Sequence, residues 1–200
     1  SRKPVVSDAE LSEVLQETLA EHFNMAVEIS RLERRPSQYS SSHVVEEVEV
    51  ELAGGPAIHL VFKDLSSPAL LGEARRVKPR FLRDPNREIQ IYRTVLDPPA
   101  HGTARCYGSL ADPTRERYWL FLEKIPGLEL YQLGEFGTWL EVARWLARFH
   151  SSHESESARL AGAMNLIRCD RAYYQTWLDR ARLHLQGQAT RGQVAILERA

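Results

Sequence analysis

The chain has 200 residues, 43% of them hydrophobic and 26% charged, with a formal net charge of -1 at pH 7. This is an ordinary globular composition for one domain, or one domain and part of another, and the near-neutral balance excludes a broad electrostatic surface for nucleic acid or acidic lipid. Cys106 and Cys169 lie far apart and outside any Cys-x-x-Cys spacing, Ser1 to Asp8 lacks the apolar core of a signal peptide, and no stretch approaches the roughly 20 apolar residues of a membrane span. The expectation is a soluble, cytoplasmic protein with no nucleic-acid or membrane partner, whose function resides in a local site.

Ser7 with Glu10 three residues on reads as a capping box, and Leu11, Val14, Leu15, Thr18, Leu19 and His22 then recur at helical spacing. Val27 to Leu32 is a short alternating strand. Val48, Val50 and Leu52, interleaved with glutamates, form a second, and Ile58 to Leu65 a third after the turn Ala53-Gly54-Gly55-Pro56. The basic run Arg75, Arg76, Lys78, Arg80 and Arg83 reads as a solvated connector. Asp84 followed by Pro85 predicts a capped helix running to about Val95 and stopped by Pro98-Pro99. Arg105 to Leu110 and Tyr118 to Lys124 are strand-like and joined by the turn Asp112-Pro113-Thr114, which completes a five-stranded antiparallel sheet with one helix inserted after the third strand.

Beyond Pro126-Gly127 the pattern turns helical, with Trp139, Val142, Ala143, Leu146, Phe149 and His150 on one stripe. Ser151 to Ser157 reads as a solvated loop. A further helix starts at Asp170, with Tyr174, Trp177, Leu178, Ala181 and Leu185 on one face before a capping Gly187, and Thr190 to Ala200 reads as another. The fold class is α+β, and the expected organisation is a sheet-bearing domain over residues 1–125 and a helical one from 126 to 200.

Lys63 sits inside an apolar strand, where a cation costs several kcal/mol unless it reaches water or an anion. Glu88 shares a helix face with Ile91, Tyr92 and Val95, so its carboxylate lies on the stripe that packs on the sheet. The two can satisfy each other and leave the ammonium aimed at nucleotide phosphates. A snorkelling lysine and a solvated glutamate are the bland alternative, common for either residue alone and less so for the pair in this order.

The stretch from Arg34 to His43 occupies the place of a phosphate-covering loop and lacks glycine. Ser37, Ser40, Ser41 and Ser42 offer hydroxyls and exposed amides there, and Arg34 or Arg35 charge. Where the last strand ends, Leu122, Glu123, Lys124 and Ile125 present backbone groups able to pair with the edge of an adenine.

Taken together, VFKD around Lys63, REIQIYR around Glu88, ARCYGS, WLFLEKIPG and WLEVARWLARFH resemble the aminoglycoside phosphotransferase and choline kinase group, over residues from about 27 to 150. The resemblance implies a protein kinase-like N-lobe followed by the first helices of a mainly helical C-lobe. It implies ATP as cofactor, Lys63 as the phosphate-contacting lysine, Glu88 as its ion-pair partner and Leu122 to Ile125 as the adenine-contacting hinge. The implied activity is transfer of the gamma phosphate to the hydroxyl of a small-molecule acceptor. That group's His-Gly-Asp catalytic loop and its metal-binding aspartate are absent, and are expected beyond residue 200 in a longer protein. Magnesium is accordingly expected only in the complete enzyme, no catalytic base or metal ligand is assigned, and the 200 residues alone are expected to be inactive. A catalytically inactive nucleotide-binding or interaction module is the alternative, and homo-oligomerisation is left open.

His150 and His153 have a metal-compatible spacing without an accompanying carboxylate or cysteine cluster, and the expectation is that His150 packs under its helix while His153 is solvated. Trp139, Trp145 and Trp177 read as packing residues.

Overall fold

The structure is a computed structural model that describes residues 6–96 and 101–185. Helix α1 (Asp8–Phe23) places Leu11, Leu15 and Leu19, one per turn, fully in the core. Burying side chains of this size contributes about 1.5–3 kcal/mol each. The capping box is half formed: the Ser7 hydroxyl accepts from the Glu10 amide at 3.2 Å, while the Glu10 carboxylate turns to Arg117, 2.8 Å away. The charge of Arg117 outcompetes a neutral amide for it. Asn24 ends the helix in the left-handed conformation, φ 51°.

Strands β1 (Ile29–Pro36), β2 (Val44–Leu52), β3 (Ile58–Asp64), β4 (Cys106–Asp112) and β5 (Arg117–Glu123) make one antiparallel open sheet in the order β1-β2-β3-β5-β4, and with the helices the fold is α+β. Val48, Val50, Leu60, Phe62, Trp119 and Phe121 form the core with the α1 leucines. Phe62 stacks on Phe121 and meets Trp119 edge-on, both with ring centroids 5.5 Å apart.

Strand β1 ends later than its alternation predicts, because pairing with β2 as far as Pro36 and Glu46 takes Arg34 and Arg35 out of the loop and into the strand. Arg34 is consumed structurally, bonded to Glu46 (2.7 Å), Asp8 (2.7 Å) and the Val6 carbonyl (2.9 Å).

Between β3 and the next long helix the expected connector is solvated, with Arg75, Arg76 and Arg80 exposed, and it is also ordered. It contains helix α2 (Gly72–Val77) and short 3₁₀ turns at Ser67–Ala69 and Arg80–Leu82. The basic run supplies the reason. Arg75 donates to the Ser67 carbonyl (2.8 Å), and Arg83 to the carbonyls of Arg75 (2.6 Å) and Lys78 (2.9 Å), which satisfies backbone groups a bare loop would leave to water.

Helix α3 (Pro85–Thr94) has the expected Asp84 cap, whose carboxylate accepts from the Asn86 amide at 3.0 Å. Its deepest residue is Ile89, which the stripe of Glu88, Ile91, Tyr92 and Val95 leaves out. Those four are half-buried, because α3 leans on both β4 and β5. The stop at Pro98-Pro99 lies outside the described residues.

After Glu123 every regular element is helical. Helix α4 (Phe136–His153) runs through a 3₁₀ turn (Glu154–Glu156) into α5 (Ser157–Ala163), so the expected loop at 151–157 is helical, anchored by the buried Leu160 and Met164. The two histidines exchange their expected places. His150 is exposed, while His153 is half-buried with Nδ1 2.9 Å from the Phe149 carbonyl and its ring 5.0 Å from that of His101. The Trp145 indole fixes the His101 backbone by donating to its carbonyl at 2.6 Å.

The expected domain boundary at residues 125–126 falls just past the end of the sheet. By compactness the chain divides further on, into a unit ending at Asn165 and one beginning at Leu166. The second holds α6 (Arg171–Leu185), opened by the Asp170 carboxylate accepting from the Tyr173 amide at 3.0 Å. The expected Gly187 cap and Thr190–Ala200 helix lie outside the described residues. Among the described residues no helix is long and apolar enough to cross a membrane.

Candidate functional site

The two-residue alternation of β3 buries Leu60, Phe62 and Asp64 on the core face and leaves Val61 and Lys63 on the other. Lys63 pairs in register with Val45 of β2 and Leu120 of β5, so it stands mid-sheet. From α3, Glu88 reaches the same point, and its carboxylate accepts a hydrogen bond from the Lys63 ammonium. Their side chains are 27% and 36% exposed. A pair this open contributes at most about 1 kcal/mol to stability, so its consequence is to fix where the ammonium stands.

That ammonium lines a cleft of about 490 Å³. Val45, Val61 and Leu122 give it apolar surface, Ser37 and Tyr39 come from the loop between β1 and β2, and residues 122–130 form a long edge. All four residues expected to meet an adenine, Leu122, Glu123, Lys124 and Ile125, therefore share one cavity with Lys63. The Lys124 ammonium bonds Glu47 of β2, which also lines the cleft, and the Lys124 amide donates to the His59 carbonyl at 3.1 Å. Glu123 faces β4 instead, with its amide bonded to the Arg105 carbonyl at 2.8 Å and its carboxylate accepting from the Arg105 amide at 3.1 Å. By engaging that amide the Glu123 side chain frees its own carbonyl. Neither this carbonyl nor the Ile125 amide is hydrogen-bonded among the described residues.

The serines behave unequally. Ser37 is buried at the cleft wall, and its hydroxyl accepts from the Tyr39 amide at 3.2 Å. The Ser40 hydroxyl is spent on the loop itself, donating to Ser37 and accepting from the Val45 amide at 3.2 Å. Ser41 and Ser42 do not line the cleft, and the Ser42 carbonyl accepts from the Leu71 amide at 2.9 Å, tying the loop to the start of α2. This loop is braced by its serine hydroxyls.

Sequence reasoning missed several residues here. Val45 and Val61 were legible in principle, since alternation puts them on the face of Lys63. Tyr39, Ala104 and residues 128–130 carried no periodic signal and reach the cleft only through the fold. His43 and Lys78 also belong to this region. His43 bridges to Leu70, and its imidazole is pushed below the ordinary range by burial first and then by the Lys78 and Lys63 charges.

An apolar slot with a free acceptor and donor at one edge and a held cation beyond suits a flat heteroaromatic ring joined to an anion. Among the described residues no group of three or more His, Cys, Asp or Glu side chains is placed to hold a metal ion. No family model matches the chain, and no match was found among curated proteins or solved structures.

Proposed function

We propose that the chain carries the ATP-binding, protein kinase-like lobe of a phosphotransferase that acts on a small-molecule hydroxyl. The observation that carries this reading is the ion pair of Lys63 and Glu88 in a cleft whose far edge, Glu123 to Ile125, presents a free carbonyl and a free amide. In this reading the ring of the nucleotide lies between Val45, Val61 and Leu122, its edge pairs with the Glu123 carbonyl and the Ile125 amide, and Lys63 takes the phosphates. Magnesium belongs to the complete reaction, but the described donors do not form a site for it. The residues of this chain are thus assigned nucleotide binding and no transfer step. Cys106 and Cys169, neither in a disulfide, accord with a cytoplasmic setting.

The test is calorimetric titration of ATP and adenosine against the protein and its Lys63→Ala variant. Losing a charged hydrogen bond to phosphate should weaken ATP about tenfold to a hundredfold and leave adenosine unchanged. Equal losses for both ligands, or no binding of either by the folded protein at millimolar concentration, would overturn the reading.

A further inference from the structure

A second cavity, of about 300 Å³, lies where α1, α3 and β4 meet, and the function proposed above makes no use of it. Its existence follows from the backbone. Strand β4 bulges between Cys106 and Gly108, and Gly108 has φ +155°, where a Cβ would stand 2.4 Å from the Thr18 methyl group. Glycine here lets α1 close over one end of β4 while the bulge opens a hollow beside it.

The lining is chiefly polar. Thr18, Glu21 and His22 come from the last turns of α1, Tyr92 and Arg93 from α3, and Ser109 from β4. Glu21 and Arg93 both line this hollow at exposed positions, and neither forms an ion pair among the described residues. The Ser109 hydroxyl is buried and unpartnered.

We propose that this cavity is a binding site for a small zwitterion of amino-acid size. Arg93 takes the carboxylate and Glu21 the ammonium. An anion alone would meet Glu21 uncompensated, and a cation alone would meet Arg93, so a ligand bearing both charges is the one the pair selects. The volume is at the lower end of ligand cavities and matches a molecule of this size. Because Tyr92 and Arg93 belong to α3, the bound ligand also fastens that helix to α1 and β4.

The experiment is an amide NMR titration of the whole protein with L-serine and L-glutamine, with glycolate and ethanolamine as controls that each lack one charge. Saturable shifts are expected for the two amino acids at the amides around Thr18 to His22, Tyr92 to Arg93 and Ser109, with slowed hydrogen exchange in α3. Arg93→Gln and Glu21→Gln, both at exposed positions, should each weaken binding about tenfold or more with the spectrum otherwise intact. The proposal is overturned if neither amino acid gives a saturable shift by about 10 mM, a level at which only very weak binding goes undetected. It is also overturned if glycolate or ethanolamine binds as tightly, or if the shifts lie elsewhere. No nucleotide enters the assay, so this result and the fate of the ATP site are independent.

Discussion

Lys63 on β3 and Glu88 on α3, 25 residues apart in sequence, meet as an ion pair on the face of the sheet opposite the core. The pair is half-exposed, so position and stability should respond differently to its removal. Glu88→Gln keeps the helix and the hydrogen-bonding shape but lets the Lys63 ammonium move. Stability should change by less than about 1 kcal/mol. ATP affinity should fall about twofold to tenfold, the cost of immobilising one long side chain at binding. Urea denaturation and ATP titration of the same preparation check both halves, and an ATP affinity equal to that of the parent would show that the carboxylate does not position the lysine.

The edge of the cleft at Ile125 makes the complementary prediction. Ile125→Pro removes an amide that forms no hydrogen bond among the described residues, at a residue 59% exposed. The fold should be little affected, while ATP and adenosine should both weaken about threefold to tenfold, the worth of one neutral hydrogen bond. This differs from Lys63→Ala, which should spare adenosine. Unchanged adenosine binding in a folded Ile125→Pro protein would remove the ring from this edge.

Arg34 and Glu46, each with a side chain only 10% exposed, form a structural pair beside the loop whose Ser37 and Tyr39 line the cleft. Arg34→Ala strands the Glu46 carboxylate and should destabilise the protein by about 3–5 kcal/mol. Replacing both, Arg34→Met with Glu46→Leu, should recover much of that loss. Thermal denaturation of the single and double variants decides it. Any protein that remains folded should keep its ATP affinity, since Arg34 points at Glu46, Asp8 and the Val6 carbonyl.

Asp64 is 1% exposed, with one carboxylate oxygen accepting from the Ser66 amide at 3.0 Å and the other unpartnered. Burial, opposed by the Ser66 hydrogen bonds and by Arg117, holds its carboxyl above the usual range. The folded state therefore keeps its proton to higher pH than the unfolded chain does. Stability from this group is full below the unfolded value and is lost as pH rises toward the raised folded one. Asp64→Asn should remove that dependence and be at least as stable as the parent at neutral pH, to within about 0.5 kcal/mol. Urea denaturation from mildly acidic to neutral pH is the check, and a large loss at neutral pH would mean that the charged form is used.

What the sequence determined by itself is local. The Ser7 and Asp84 caps, the α1 leucines, the five strands and their hairpin turns follow from short-range periodicity and hydrogen-bonding chemistry, and the structure has each of them. Lys63 and Glu88 were visible because each is a charge where a polar residue is costly. The tertiary structure decided what pairs across the chain. Arg34 and Glu10 change roles because Glu46 and Arg117 arrive from other strands, and the 75–83 run orders because its guanidiniums find carbonyls. Which serines stay free depends on where the Val45 backbone lies, and which histidine is covered depends on the placement of His101 beside α4. The hollow beside Gly108 has no sequence signal at all, because it results from a bulge meeting a helix that precedes it by some eighty residues. A chain reports its own periodicity, but a polar side chain is satisfied by whatever the fold brings within about 3 Å, and that distance is set by all the elements together.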